Sequence, residues 1–382
     1  MSKTYILIDD EAQSAAPADG YAEELGVASR GQLQVRTYRP SSLADVLEFI
    51  AEAKPDGLLL DIALTNTTVD GEPLAYDGIA LAQQIRTLQT RGLRQDAESL
   101  PEFPLIRFSK TDVIREYVGG DTTSDDLFDE KVDKSEVIDD PAGVARRALS
   151  LAIDYPKVCA YARSEQSDEA LANLLGCSPD FFSLLDARAL VGFRRAGAPA
   201  HVLSRYVTGA LLARPGPLVE EALLSVRLGI DSERSGDWAA LRAGLERSKY
   251  RGAFAQGYER WWMPLLLDWW SEEIDADHAP YRLSAAERVK AIARKTGLGA
   301  LIALPEDPDS PGLKFWHRCL RSDLPVDPAF GFPLMGIWGQ ETWQDVDYLC
   351  LEEARRDSRN PRLRSAERSR LASLRAKGEA AS

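Results

Sequence analysis

Most of the short apolar runs in the first 150 residues stop abruptly on polar or charged side chains, and that habit limits the possible folds more than any other feature. Ile6-Leu7-Ile8 climbs straight into Asp9, Asp10 and Glu11. "DGLLLD" (56 to 61) ends on Asp61, "PLIRFS" (104 to 109) on Ser109, and the weaker "LFDEKVDK" (127 to 134) on Lys134. With "QLQVRTY" (32 to 38) these make five candidate strands, since short apolar runs rich in branched residues read as buried strands. Helical spacing lies between them. "SSLADVLEFIAEA" (41 to 53) has apolar residues at 43, 46, 47 and 50, with Ser42 placed as N-cap. "GIALAQQIRTL" (78 to 88) reads as a second helix, and "PAGVARRALSLAI" (141 to 153), with Pro141 in its first turn, as a third. Residues between the first and second runs read only as a polar stretch. Strand alternating with helix predicts a doubly wound α/β fold, a five-stranded parallel sheet with helices on both faces.

In such sheets ligands bind beyond the carboxyl ends of the strands, so all five strand ends share one edge. Asp9 and Asp10 end the first strand, Asp61 the third, Ser109 the fourth, and Lys134 or Lys131 the fifth. Three carboxylates around one point call for a divalent cation, and Mg2+ is the usual partner of a few carboxylates plus phosphate oxygens. An ammonium and a hydroxyl add the donors that a phosphoryl group needs. The set is equipped to carry phosphate on a carboxylate, with Asp61 as nucleophile.

The arrangement resembles the receiver domain of two-component response regulators over residues 1 to about 150. "ILIDDE", "DGLLLDIAL", "YDGIALAQQIR", "FPLIRFSKTD" and "VDKSE" occur in the family's order. The resemblance implies a flavodoxin-like fold with Asp61 as phosphoacceptor. It also implies Mg2+ held by Asp9, Asp10, Asp61 and the carbonyl of Ala63, with Ser109 as the switch hydroxyl. Lys134 would pair with the phosphoryl group, although Lys131, with the aromatic Phe128 three residues before it, competes for that role. The partner implied is a sensor histidine kinase. Two departures stand out: longer loops at 65 to 76 and 89 to 103, and Ser135 where a proline commonly follows the lysine.

Beyond residue 156 the strand signals largely fade. "SDEALANLLG", "SPDFFSLLDARAL", "PAHVLSRYVTGALLAR", "PLVEEALLSVRLGI" and "SAAERVKAIARK" (with a Ser284/Glu287 capping box) carry helical spacing. The expected organisation is a receiver-like domain over 1–153, a mostly α-helical interaction domain over 156–350 and a basic C-terminal helix or tail over 351–382. Within the second, 301–350 reads as irregular, with nine Pro and Gly between 305 and 336. "YERWWMPLLLDWW" places Tyr258, Trp262, Leu265, Leu266 and Trp269 on one helical stripe, read as core. His201, His278 and His317 stand without a partner at ligand spacing, and nothing marks Cys319 as an activated thiol.

Charge and cysteines bound the function further. The net charge is -14, of which residues 1 to 150 supply -13, whereas 354 to 382 hold nine Lys+Arg against three Asp+Glu. The acidic bulk repels nucleic acid and anionic membranes, so a nucleic-acid output would have to use the tail. Four dispersed cysteines without CxxC spacing, and no apolar stretch long enough for a bilayer, indicate a cytoplasmic protein with free thiols. The expected output is a protein-interaction module that binds an effector or itself, and no enzymatic signature appears beyond phosphotransfer at Asp61. The alternatives are a phosphorylation-gated enzyme, a component like those of prokaryotic conflict and phage-defence operons, or nucleic-acid binding through the tail.

Overall fold

The structure is a computed structural model and describes residues 2–12, 17–64, 68–69, 72–92, 99–110, 123–194, 198–336 and 340–379. The apolar run ahead of the first acids is strand β1 (Lys3–Ile8), with Tyr5 to Ile8 fully buried. It pairs with β2 (Leu33–Tyr38) on one side and β3 (Gly57–Leu60) on the other. β4 (Leu105–Phe108) and β5 (Glu130–Val132) complete a five-stranded, all-parallel sheet in the order β2-β1-β3-β4-β5. That is the flavodoxin-like order, and its topological switch point lies between β1 and β3.

Parallel strands need crossovers, and these are helices α1 (Pro17–Ala28), α2 (Leu43–Ala53) and α3 (Gly78–Gly92), with α4 (Lys134–Asp139) and α5 (Pro141–Ala162) after β5. One face packs Ile6, Ile8, Leu58, Leu60 and Leu105 against Val46, Ile50, Leu81 and Ile85. Towards the other face, the buried Tyr5 hydroxyl donates to the carbonyl of Ala148 at 2.8 Å, tying β1 to α5. A Cβ on Gly57 would stand 2.4 Å from the Tyr5 ring, so glycine is required there. Ser42 caps α2 as expected, accepting the Asp45 N–H.

Helix α1 replaces the expected polar stretch. Its inward positions are Ala18, Ala22 and Leu25, the i, i+4, i+7 spacing of a helical stripe written mostly in alanine. Alanine buries so little area that the periodicity barely registers. Helix α5 runs to Ala162, so the expected boundary at 153–156 falls inside a helix.

The chain divides into two compact units: Met1–Ala213 with Arg251–Tyr258, and Arg214–Tyr250 with Glu259–Ser382. The helices up to Ala213 belong with the sheet. Thr208 donates its hydroxyl to the Asp129 carbonyl at 2.7 Å, and Arg163 pairs with Glu102. The returning segment Arg251–Tyr258 is pinned by backbone donors. The Phe254 N–H reaches the buried Asp154 carboxylate at 2.8 Å, and the Ala253 N–H reaches the Leu174 carbonyl at 2.8 Å.

The second unit is built on a core of Trp238, Trp261, Trp269, Trp270 and aliphatic neighbours. The expected stripe from Tyr258 to Trp269 is not one helix. Trp261–Trp262 is a short strand paired with Leu218–Val219, the helix runs only Met263–Trp269, and Tyr258 belongs to the first unit. Pro264 explains the start, because proline suits a first helical turn and lacks the N–H an interior position needs. The capping box of Ser284 and Glu287 opens the helix Ala285–Thr296 as expected. Residues 301–350 contain two-residue strand pairs, His317–Arg318 with Pro325–Val326 and Phe332–Pro333 with Tyr348–Leu349. The basic end is docked. Leu371 of the helix Ser365–Glu379 is buried, and Arg370 stacks on Phe332 at 4.6 Å while donating to the carbonyls of Ala329, Phe330 and Gly331.

At the amino end of β4 and β5 lies a buried ion pair, Arg86 to Asp129 at 2.6 Å. The same Asp129 oxygen accepts the Leu105 N–H at 2.8 Å, and Arg86 also donates to Leu127 O, Phe103 O and Gln89. Removing one partner of a buried pair strands the other charge, at a cost of about 3–5 kcal/mol. Asp129→Ala should lose that much stability in urea denaturation.

Candidate functional site

Asp9 is the first residue after β1 and Asp61 the first after β3, so the switch point brings them together. The Asp61 N–H donates to the Ile8 carbonyl at 3.0 Å, continuing the ladder to the edge of the site. Asp9, Asp10 and Asp61 are all buried, and each offers an oxygen within 4.8 Å of the others. The start of α3 presses on this edge. A Cβ on Gly78 would lie 2.0 Å from the Asp61 carbonyl oxygen, which makes the glycine of "YDGIALAQQIR" obligatory.

Lys134 enters from the other side. Its ammonium donates to Asp9 Oδ2 at 2.7 Å and to Asp61 Oδ2 at 2.5 Å, and it is almost fully buried. Burial alone would lower its pKa, but Asp61 and then Asp9 hold it above the ordinary lysine value. Its Nζ also lies 5.9 Å from the centroid of Phe108, against which Tyr21 packs edge-on. The other Asp61 oxygen accepts the Ser109 hydroxyl and, at 3.3 Å, the N–H of Ala63. Ser109 Oγ in turn accepts the Ile62 N–H at 3.2 Å.

Strand β5 ends at Val132, two residues before Lys134. Asp133 caps α4 and Lys134 is its first residue. The Asp133 side chain accepts the Ser135 N–H at 2.9 Å, and Glu136 closes the capping box. Ser135 stands where the family commonly has proline, and a proline could not supply this N–H. Lys131 points away from the three acids. It is exposed on β5 and pairs with Asp125 at 2.5 Å, an acid that Arg107 also holds. Phe128 is part of the core, and the residue three before Lys134 is this exposed lysine, not an aromatic. Residues 111–122, after Ser109 and Lys110, lie outside those described, as do parts of both long loops.

Three carboxylates against one ammonium leave a surplus of negative charge lined with hard oxygen donors. That donor set fits Mg2+, which binds through carboxylates and keeps waters. Ala63 sits two residues past Asp61, close enough for its N–H to reach an Asp61 oxygen.

Elsewhere, burial followed by Arg86 and Arg205 pushes His201 down to about 3, and burial pushes His317, stacked on Tyr348, down to about 4. His278 pairs with Asp275 on the surface. All four cysteines are free thiols. Among the described residues, no helix is long and apolar enough to cross a membrane.

The strand order defines the class: the N-terminal unit has the doubly wound, flavodoxin-like fold that CheY also has. No protein-family model matches the chain, and no curated protein does. Solved structures do match over its N-terminal part. A putative response regulator from Chloroflexus aurantiacus is 20% identical, covering 39% of this chain and 99% of its own, with a TM-score of 0.26. The receiver domain of NtrX from Brucella abortus is 23% identical over 38% of this chain and 97% of its own, TM-score 0.25. The BeF3-activated N-terminal receiver domain of Klebsiella pneumoniae RstA is 16% identical over 38% and 97%, TM-score 0.25.

If Lys134 is the fold's own counter-charge, its removal should be costly without metal and cheaper with it. Lys134→Met should lower the melting temperature of the metal-free chain. Added Mg2+ should then raise the melting temperature of this variant more than that of the wild type, because binding to the native state stabilises by mass action.

Proposed function

We propose that the chain is a response-regulator-like signalling protein whose Asp61 accepts a phosphoryl group from a sensor histidine kinase and thereby controls a helical protein-interaction output. The observation that carries this reading is the pair of donors on Asp61, Lys134 on one oxygen and Ser109 on the other. In the transfer, an Asp61 oxygen forms a bond to phosphorus while the bond from phosphorus to the kinase imidazole breaks, and the imidazole keeps the electron pair. Mg2+, held by Asp9, Asp10, Asp61 and the Ala63 carbonyl, would supply neutralisation of the phosphoryl oxygens. Lys134 gives up a carboxylate to pair with one phosphoryl oxygen, and the Ser109 hydroxyl turns to another. Both donors sit within hydrogen-bond reach of Asp61, so neither has far to travel.

Lys134 is also the first residue of α4, so its movement is felt along the chain. Glu136 of α4 pairs with Arg147 of α5 at 2.6 Å, and α5 continues without a break to Ala162. This route supports a change passed beyond the sheet to a partner protein or to a second copy. The surface charge and the internal use of the tail's arginines, Arg356 with Glu353, Arg362 with Asp347 and Arg370 on carbonyls, weigh against nucleic acid. A cytoplasmic setting suits a kinase partner.

Incubation with acetyl phosphate and Mg2+ should give an acid-stable, hydroxylamine-labile phosphoprotein in the wild type and none in Asp61→Asn. Equal labelling of the two would overturn the assignment. Hydrogen exchange with beryllofluoride should alter protection in α5 past residue 156 and in 251–258. Changes confined to residues before 140 would leave phosphotransfer standing and remove the coupling.

A further inference from the structure

Cys319 and Cys350 are 31 residues apart in sequence but adjoin in the satellite core of the second unit, among Val326, Phe332, Leu349 and Leu363. The Cys350 N–H donates to Cys319 Sγ at 3.3 Å, and the Ser322 hydroxyl lies 3.5 Å from Cys350 Sγ. We propose that Cys319 and Cys350 form a peroxide-responsive dithiol site that closes reversibly to a disulfide within the second unit.

The surroundings divide the roles between the two sulfurs. Cys319 is held well below the ordinary thiol range by the Cys350 thiol, then by the Ser322 hydroxyl and the N–H groups of Ser322 and Arg321. Cys350 is pushed up, first because it donates to Cys319 and then by burial. The Cys350 N–H aimed at the Cys319 sulfur favours a thiolate there, so Cys319 takes the attacking role and Cys350 the resolving one. Burial pushes Cys159 and Cys177 the other way, each to about 12.

Both cysteines are buried, so access requires local opening; the adjoining turn Leu320–Asp323 is exposed, carries the Ser322 hydroxyl and has φ 59° at Asp323. A residue outside glycine with positive φ marks a turn held at some conformational cost, which favours local opening. Hydroperoxide, only slightly larger than water, can then reach Cys319.

The chemistry balances with hydroperoxide as oxidant. The Cys319 thiolate attacks the terminal peroxide oxygen, the O–O bond breaks, and the remaining oxygen leaves as alkoxide or hydroxide and takes a proton. The resulting sulfenic acid is attacked by Cys350 sulfur, an S–S bond forms, and the hydroxide leaves as water with the Cys350 proton. A dithiol reductant restores both thiols by exchange.

The test treats the full-length chain with hydrogen peroxide, alkylates the remaining thiols under denaturing conditions, and maps peptides without reduction. The expected result is a linked Cys319–Cys350 peptide that dithiothreitol abolishes, with Cys159 and Cys177 still alkylated at the same dose. In Cys350→Ser the link is lost and Cys319 advances to sulfenic and sulfinic acid; in Cys319→Ser, Cys350 stays alkylatable. Wild-type mapping requires no variant to fold. Cys319 and Cys350 both remaining alkylatable, or a link appearing only after denaturation, would overturn the proposal.

Discussion

Carboxylates at the ends of two adjacent parallel strands cannot all stay ionised in one buried pocket unless something cationic joins them. In this chain the fold supplies the cation itself, by ending β5 early and starting α4 on Lys134. Much of the local architecture follows from that need. Asp133 must leave the ladder to cap the helix, Ser135 must offer its N–H, and Gly78 must lack a side chain so that α3 can close against Asp61. Each of these residues helps fix where Lys134 or Asp61 stands.

The same strand is held at both ends by charge. Three residues of parallel pairing give β5 few ladder bonds, and an edge strand that short is weakly held by its backbone alone. Asp129 precedes it and is clamped by Arg86, while Lys134 follows it and is clamped by Asp9 and Asp61. The hydroxyl of Thr208 on the Asp129 carbonyl adds a third tie. A strand so anchored is tied to Asp61 through Lys134 at one end and to Arg86 through Asp129 at the other.

The sheet was legible because its strands are apolar runs of β-branched and leucine residues with abrupt ends, and because parallel topology maps those ends onto one edge. Asp9, Asp10, Asp61, Ser109 and Lys134 were all found this way, and the structure gathers them. What stayed hidden had weak or borrowed signals. Helix α1 writes its inward face in alanine. Lys131 competes with Lys134 on paper, and the structure sets Lys134 on Asp9 and Asp61 and Lys131 on Asp125. The Trp-rich segment has helical spacing by composition but lies partly in a strand, since Trp262 pairs with Leu218 across the sequence. Cys319 and Cys350 meet only because Cys319 bridges Tyr348 side by side, a long-range register that no local pattern announces.

The eight residues Arg251–Tyr258 belong to the first unit although the chain on both sides of them belongs to the second. They bring the buried ring of Phe254 and a glycine, Gly257, whose Cβ would fall 2.9 Å from the Arg147 Cα and the Ser150 Cβ. A fragment cut after Ala213 would therefore leave Asp154 with an unanswered carboxylate oxygen and an open apolar seat along α5. The two units are interleaved in the gene, not strung in series. Replacing the region after residue 213 would therefore also remove a piece of the first unit's own packing.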